Sequence, residues 1–132
     1  MARILIVEDN DPIRWALSNL LRLEGHEVDL VTDGQQALAR FSDRSFDLVL
    51  MDVYMPNTDA LEVCRKLRQQ SEIPIVMISG TYLPAIRDRA FDSGASAFLA
   101  KPLQFEDLLA LVRKISPGQH NSTGNSHLHL HD

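Results

Sequence analysis

Four short apolar runs in this chain each end on a polar side chain able to do chemistry. Glu8 and Asp9 follow Ile4-Leu5-Ile6-Val7, and Asp52 follows Leu48-Val49-Leu50-Met51. Ser79 follows Ile75-Val76-Met77-Ile78 and precedes Gly80, and Lys101 follows Phe98-Leu99-Ala100. If the runs are neighbouring parallel strands, these groups meet at one edge of one sheet, where ligands bind in open α/β folds. Three carboxylates gathered there repel unless a cation neutralises them, and hard oxygen donors suit Mg²⁺ (or Mn²⁺). A carboxylate such as Asp52 can accept a phosphoryl group and become an acyl phosphate. A cation can bridge carboxylate and phosphoryl oxygens during an in-line transfer. Lys101, just before Pro102, can place a point charge on a phosphoryl oxygen, Ser79 can donate a hydrogen bond to another, and Gly80 leaves room beside it. Each group alone has a plainer use: Asp52 as a turn former, Lys101 as its ion-pair partner, Ser79 as a turn cap. The full set at a ligand edge argues for the chemistry.

Positioning these groups requires strands. The runs Ile4 to Val7, Val28 to Val31, Phe46 to Met51, Ile73 to Ile78 and Ala97 to Leu99 are mostly continuous apolar stretches, the pattern of strands buried on both faces. Between them lie segments of helical period. Leu17, Leu20, Leu21 and Ile13 form the first stripe, with Asp11-Pro12 as cap and first position and Gly25 as the stop. Ala37, Leu38 and Phe41 mark a second helix, and Leu61, Cys64 and Leu67 a third, capped by Asp59. Ile86, Ala90 and Phe91 mark a fourth that ends at Gly94, and Leu108, Val112 and Ile115 a fifth. Repeated βα units with right-handed crossovers predict an α/β fold: a doubly wound, five-stranded parallel sheet, flavodoxin-like, in the order 2-1-3-4-5. In that order the first and third strands are neighbours, so Glu8 and Asp9 face Asp52.

Residues 1–116 read as one domain and 117–132 as a polar, aperiodic, disordered tail. His127, His129 and His131 alternate in that tail and could chelate a metal if extended; a flexible end is the plainer reading. The formal net charge of -5 argues against non-specific binding to nucleic acid or anionic membranes. Cys64 is the only cysteine, which permits no internal disulfide, fits a reducing compartment and points to packing. No secretory signal is recognisable, and no apolar run reaches the roughly 18 residues of a membrane span. A cytoplasmic location is expected.

The chain resembles the receiver domain of two-component response regulators, close to the stand-alone chemotaxis regulators. The likeness runs over about residues 2–116. It rests on Glu8-Asp9, Leu50-Met51-Asp52-Val53-Tyr54-Met55-Pro56, Ile78-Ser79-Gly80, Gly94-Ala95, Phe98 and Lys101-Pro102, in that order. The resemblance implies phosphotransfer to Asp52 from a histidine kinase or phosphotransfer protein. It implies Mg²⁺ on Glu8, Asp9, Asp52 and the Tyr54 main-chain carbonyl. Ser79, Gly80 and Lys101 would receive the phosphoryl oxygens, and Ser79 with Phe98 would form the switch. The peptide before Pro102 is expected to be cis. Without the resemblance, Phe98 reads as an ordinary core aromatic.

Kinase docking is expected over Pro12, Ile13, Ala16 and Leu103, although Ile13 reads equally as half-buried core. A downstream effector is expected on the face of the fourth helix, fifth strand and fifth helix, with Arg87, Asp88, Ala97 and Leu111 outward. Leu111 as an outward apolar group suggests partner binding or weak self-association of a monomer. Ala97 and Leu111 stand where the winged-helix transcription-factor class carries an acid and an arginine, which puts that dimer mode in doubt. Asn57 and Ala60 replace frequent glycines, and Ser79 a frequent threonine. No output domain follows in this sequence, so no direct nucleic-acid contact is expected. Competing classes are a haloacid-dehalogenase-like phosphohydrolase, weakened because Tyr54 stands where such enzymes carry a second Asp, and a degenerate receiver that only binds partners.

Overall fold

In the computed structural model, residues 2–80, 83–115 and 129–130 are described. Five parallel strands, β1 (Arg3–Val7), β2 (Glu27–Val31), β3 (Leu48–Asp52), β4 (Ile75–Ser79) and β5 (Ala97–Ala100), form a sheet in the order β2-β1-β3-β4-β5. This is the expected flavodoxin-like α/β order, each strand within a residue or two of its apolar run. Helices α1 (Asp11–Leu23), α2 (Gly34–Asp43), α3 (Ala60–Gln70), α4 (Pro84–Asp92) and α5 (Phe105–Ile115) make the crossovers. Tyr54–Met55 and Thr58–Asp59 pair as a short antiparallel hairpin after β3, turning at Asn57 with φ 56°. Asn tolerates that left-handed conformation better than most residues.

Strand alternation divides the core in two. Leu5, Val7, Val49, Met51, Met77 and Phe98 face α2, α3 and α4, where Ala37, Val63, Cys64, Leu67 and Ala90 meet them. Ile4, Ile6, Leu48, Leu50, Ile78 and Leu99 face α1 and α5, where Leu17, Leu21, Leu108, Leu111 and Val112 meet them. Every residue of β3 and β4 is buried, as continuous apolar runs require. Cys64 is fully buried, and burial pushes its thiol up to about 11, so it packs and does not react.

Several local expectations need correction. The α1 cap is Asn10, whose side chain accepts from the Ile13 amide, with Asp11 and Pro12 inside the first turn. The Asx side chain immediately before Asp11-Pro12 is the better cap, because it alone lies outside the helix. Ala97 and Leu111 are buried (1% and 0% exposed), part of the core against α1 and α5, so neither is an outward contact. Leu111 continues the stripe of Leu108 and Val112, which carries it inward. In the tail, His129–Leu130 pair antiparallel with the edge of β5, opposite Phe98 and Ala97. The rest of the predicted tail, His127 and His131 included, lies outside the described residues.

Arg68 closes the end of the sheet remote from the polar cluster. Its guanidinium donates to the carbonyls of Gly94 (2.6 and 3.0 Å), Ile73 (2.7 Å) and Ser71 (3.2 Å), tying α3 to the turns before β4 and β5. Gly34 lets the start of α2 pack closely against both α3 and the hairpin. A Cβ there would lie 2.6 Å from Val63 Cγ2 and 2.9 Å from Thr58 Cγ2, while its amide donates to Thr58 Oγ1 at 3.1 Å. Overpacking of this kind costs about 1–3 kcal/mol. Gly34→Ala is therefore expected to lower the urea-unfolding midpoint by a corresponding amount; an unchanged midpoint would show that the contact is slack.

Candidate functional site

The register of the sheet builds the site. Val7 pairs with Met51 and Asp52 with Ile78, so Glu8, one residue past β1, lies beside Asp52 at the end of β3. Ser79 pairs with Ala100, and the Lys101 amide donates to the Ser79 carbonyl at 2.7 Å. By alternation Glu8, Asp52 and Lys101 share the side of Ile6, Leu50 and Leu99, whereas Ser79 shares the side of Met77 and Phe98.

Glu8, Asp9 and Asp52 each offer a carboxylate oxygen, all within 4.8 Å of one another. Glu8 and Asp52 are buried and Asp9 is exposed. Lys101 Nζ lies 2.9 Å from Asp52 Oδ2 and 3.2 Å from Glu8 Oε1. The Asp52 carboxylate also accepts from the Tyr54 amide at 3.1 Å, and Glu8 from the Asn10 amide at 3.1 Å. Burial pushes the Glu8 carboxyl up to about 6, against the lowering effect of the Asn10 amide; the Asp52 charge adds to the rise and Lys101 opposes it. Burial pulls the Lys101 ammonium down, but its bonds to Asp52 and Glu8 outweigh this and the net shift is upward. Three carboxylates against one ammonium leave an excess of two negative charges when all are ionised, which is what a divalent cation would offset. The donor set is all oxygen and partly open at Asp9, which fits Mg²⁺.

Ser79 and Phe98 are both fully buried, while Gly80 beside Ser79 is exposed, with open space where a side chain would stand. Phe98 lies in the core on the side of α2, α3 and α4. The Lys101–Pro102 peptide is cis. Tyr54 is exposed. Pro12, Ile13, Ala16 and Leu103 line one groove of about 600 Å³ with Leu17 and Phe105, bordered by Lys101. Ile13 and Leu103 are half-buried there, and Pro12 and Ala16 are exposed. Of the residues expected outward on the face of α4, β5 and α5, Asp88 is exposed and Arg87 is half-buried.

Sequence reasoning missed Arg14. Its guanidinium donates to the Glu8 main-chain carbonyl at 2.9 Å and pairs with Asp11, and its side chain is only 11% exposed. The Asp11-x-x-Arg14 spacing was the available signal, since residues three apart share a helix face.

Residues 4–113 match the response regulator receiver domain, and the chain belongs to that family. It is 35% identical over 115 residues to the sensory transduction protein RegX3 of Mycobacterium tuberculosis strain H37Rv, covering 87% of this chain and 51% of that protein. It is 38% identical over 122 residues to the response regulator MprA of Mycobacterium sp. strain KMS, covering 89% and 53%. The chain thus spans about half the length of these curated relatives. A two-component response regulator from Clostridium difficile has a similar structure, with TM-score 0.85, 26% identity and coverage of 87% and 95%. The chemotaxis response regulator CheY4 of Vibrio cholerae gives TM-score 0.81, 33% identity and coverage of 87% and 98%. Membership places the chain in two-component signal transduction. Among the described residues, no helix is long and apolar enough to cross a membrane.

The raised Glu8 pKa has a testable sign. The folded state holds this proton more tightly than the unfolded chain does. Its contribution to stability is therefore fully present below 4.5 and lost as pH rises through about 6. Relative to Glu8→Gln, the metal-free protein is expected to lose about 2 kcal/mol of unfolding free energy across that window. A stability difference that stays flat with pH would contradict the assignment.

Proposed function

We propose that the chain is a phosphoacceptor switch: Asp52 takes a phosphoryl group from a histidine kinase or phosphotransfer protein, and the altered surface controls a downstream effector. The convergence of Glu8, Asp9 and Asp52 within 4.8 Å, with Lys101 bridging two of them, carries this reading. Asp52 is the nucleophile because it ends the central strand β3 and reaches the open edge from a buried position. Its oxygen attacks phosphorus while the bond from phosphorus to the donor's imidazole nitrogen breaks, the electron pair staying on nitrogen. Mg²⁺ or Mn²⁺, held by Glu8, Asp9, Asp52 and the Tyr54 main-chain carbonyl, would supply the charge that makes a phosphoryl group tolerable beside three carboxylates. Lys101 offers its ammonium to one phosphoryl oxygen, and Ser79 and the open space at Gly80 accommodate others. The residue two beyond Asp52 is Tyr54, not an acid, which disfavours a phosphohydrolase of the haloacid-dehalogenase type. No turnover beyond self-phosphorylation from small donors and autodephosphorylation is ascribed to the chain.

Signalling follows from where Ser79 lies. A phosphoryl group on Asp52 adds strong acceptor oxygens at the edge, and a Ser79 hydroxyl drawn to them changes the space beside Phe98, on the same side of the sheet. The face of α4, β5 and α5 then carries the change to an effector, with Asp88 and the exposed Leu83 as accessible groups. A gap of a few kcal/mol between two packings suffices for a phosphoryl group to shift the population. The groove of Pro12, Ile13, Ala16 and Leu103 beside Lys101 is the docking surface for the kinase's phosphohistidine-bearing helices.

With acetyl phosphate and Mg²⁺, the wild-type chain is expected to gain a base-labile phosphoryl group, and Asp52→Ala to gain none. Equal labelling of the variant would place the acceptor elsewhere. Ile13→Asp is expected to leave acetyl-phosphate labelling intact and to slow transfer from the cognate kinase at least about 10-fold, because a buried charge in an apolar contact costs more than about 1.4 kcal/mol. Unchanged kinase transfer to a folded Ile13→Asp protein would remove the groove from the docking surface.

A further inference from the structure

We infer that Arg14 is a positioning residue for the cation site, fixing the turn from which Glu8 and Asp9 project by gripping the Glu8 carbonyl and the Asp11 carboxylate together. The inference rests on reading Glu8, Asp9 and Asp52 as that site. The Asp9 carboxylate makes no hydrogen bond or ion pair among the described residues. No contact of its own holds it, so where it projects from depends on the main chain that carries it. That main chain is held on either side of Asp9. The Glu8 amide donates to the Val31 carbonyl at 3.1 Å, and the Asn10 amide donates back to the Glu8 carboxylate at 3.1 Å. Asn10 Oδ1 accepts from the Ile13 amide at 2.9 Å, which anchors the turn to α1. Between these ties the Glu8 carbonyl precedes Asp9, and Arg14 Nη1 is its donor at 2.9 Å.

A bare i,i+3 ion pair would not carry this role. Arg65 and Glu62 also pair at that spacing, but both are about half exposed, and such pairs contribute little. Arg14 differs in being 11% exposed and in directing a second nitrogen to a main-chain carbonyl. A guanidinium fork can serve two acceptors in fixed directions, which a lysine ammonium on a flexible stem cannot. Arg14 touches none of the three carboxylates, so its effect on the cation is exerted through the turn. Groups that orient metal ligands from behind commonly change metal affinity by about 10-fold or more when removed.

The test is a Mg²⁺ titration of the full chain, followed by amide NMR shifts, for the wild type, Arg14→Met, Arg14→Lys, Asp11→Asn and Asp9→Asn, with thermal unfolding of each. Positioning predicts about 10-fold weaker Mg²⁺ binding for Arg14→Met. It predicts most of that loss for Arg14→Lys despite the retained charge, and a smaller loss for Asp11→Asn. If Arg14 acts only as a nearby positive charge, Arg14→Met binds Mg²⁺ more tightly and Arg14→Lys is unchanged, which overturns the inference. A lowered melting temperature with unchanged Mg²⁺ affinity overturns it as well, leaving Arg14 a fold residue. Should Arg14→Met fail to fold, Arg14→Lys and Asp11→Asn decide. A wild type that binds no Mg²⁺ brings down the cation-site reading and this inference with it. Binding that is lost in Asp9→Asn but kept in the Arg14 variants defeats the positioning role alone.

Discussion

One ammonium between two buried carboxylates governs the arrangement of this protein's sheet edge. Lys101 reaches from the end of β5 past β4 to Asp52 at 2.9 Å, and past β3 as well to Glu8 at 3.2 Å. At an effective dielectric of about 20, two like charges about 4 Å apart repel by roughly 4 kcal/mol, so Glu8 and Asp52 could not share this place uncompensated. Compensation is incomplete even so. Glu8 keeps its proton up to about 6, because its burial and the Asp52 charge outweigh Lys101 and the Asn10 amide. A site that is still short of positive charge is one that a divalent cation can enter.

The sheet turns that electrostatic fact into a device through its two-residue period. Glu8, Asp52 and Lys101 fall on the α1 and α5 side, next to the groove of Pro12, Ile13 and Leu103. Ser79 and Phe98 fall on the side of α2, α3 and α4. A ligand at the edge would thus touch one side through its carboxylates and the other through a serine hydroxyl. The core on the Phe98 side is close-packed, and packed cores shift between discrete arrangements instead of deforming smoothly. That is the physical basis for proposing that a change at Asp52 is read at α4, β5 and α5. The hairpin after Asp52, held by Thr58 to the start of α2, confines the rest of the loop that follows that carboxylate.

The strands and the edge cluster are legible in the sequence because buried parallel strands write continuous apolar runs, and a charge at the end of such a run is conspicuous. Asp59 as the α3 cap and Asn57 in the left-handed turn follow from side-chain chemistry in the same way. What escapes the sequence depends on where an element's face points in three dimensions. Leu111 reads as outward there, but it lies three residues from Leu108 and next to Val112 on a stripe in the same core as Leu99 and Ala97. Asp11 reads as the α1 cap because it precedes Pro12, yet Asn10, one residue earlier, has the free extended backbone a cap needs. Arg14 and Arg68 look like solvated helix positions in the sequence. Their roles come from carbonyls brought to them by other segments, Glu8 in one case and Gly94, Ile73 and Ser71 in the other. The pairing of His129–Leu130 along β5 likewise depends on an open strand edge that only the folded sheet displays.

Central to the proposed function is that the edge formed by Glu8, Asp9, Asp52 and Lys101 is built to receive a cation and a phosphoryl group together. Its most direct test is a structure of the protein with Mg²⁺ and beryllofluoride, in which the beryllium trifluoride stands in for the phosphoryl group. Beryllium is expected on an Asp52 oxygen, the cation on Glu8, Asp9 and Asp52, and the Lys101 ammonium moved from its bridge onto a fluorine. A structure in which Asp52 remains unmodified at saturating beryllofluoride and Mg²⁺, with Lys101 still spanning Asp52 and Glu8, would contradict it.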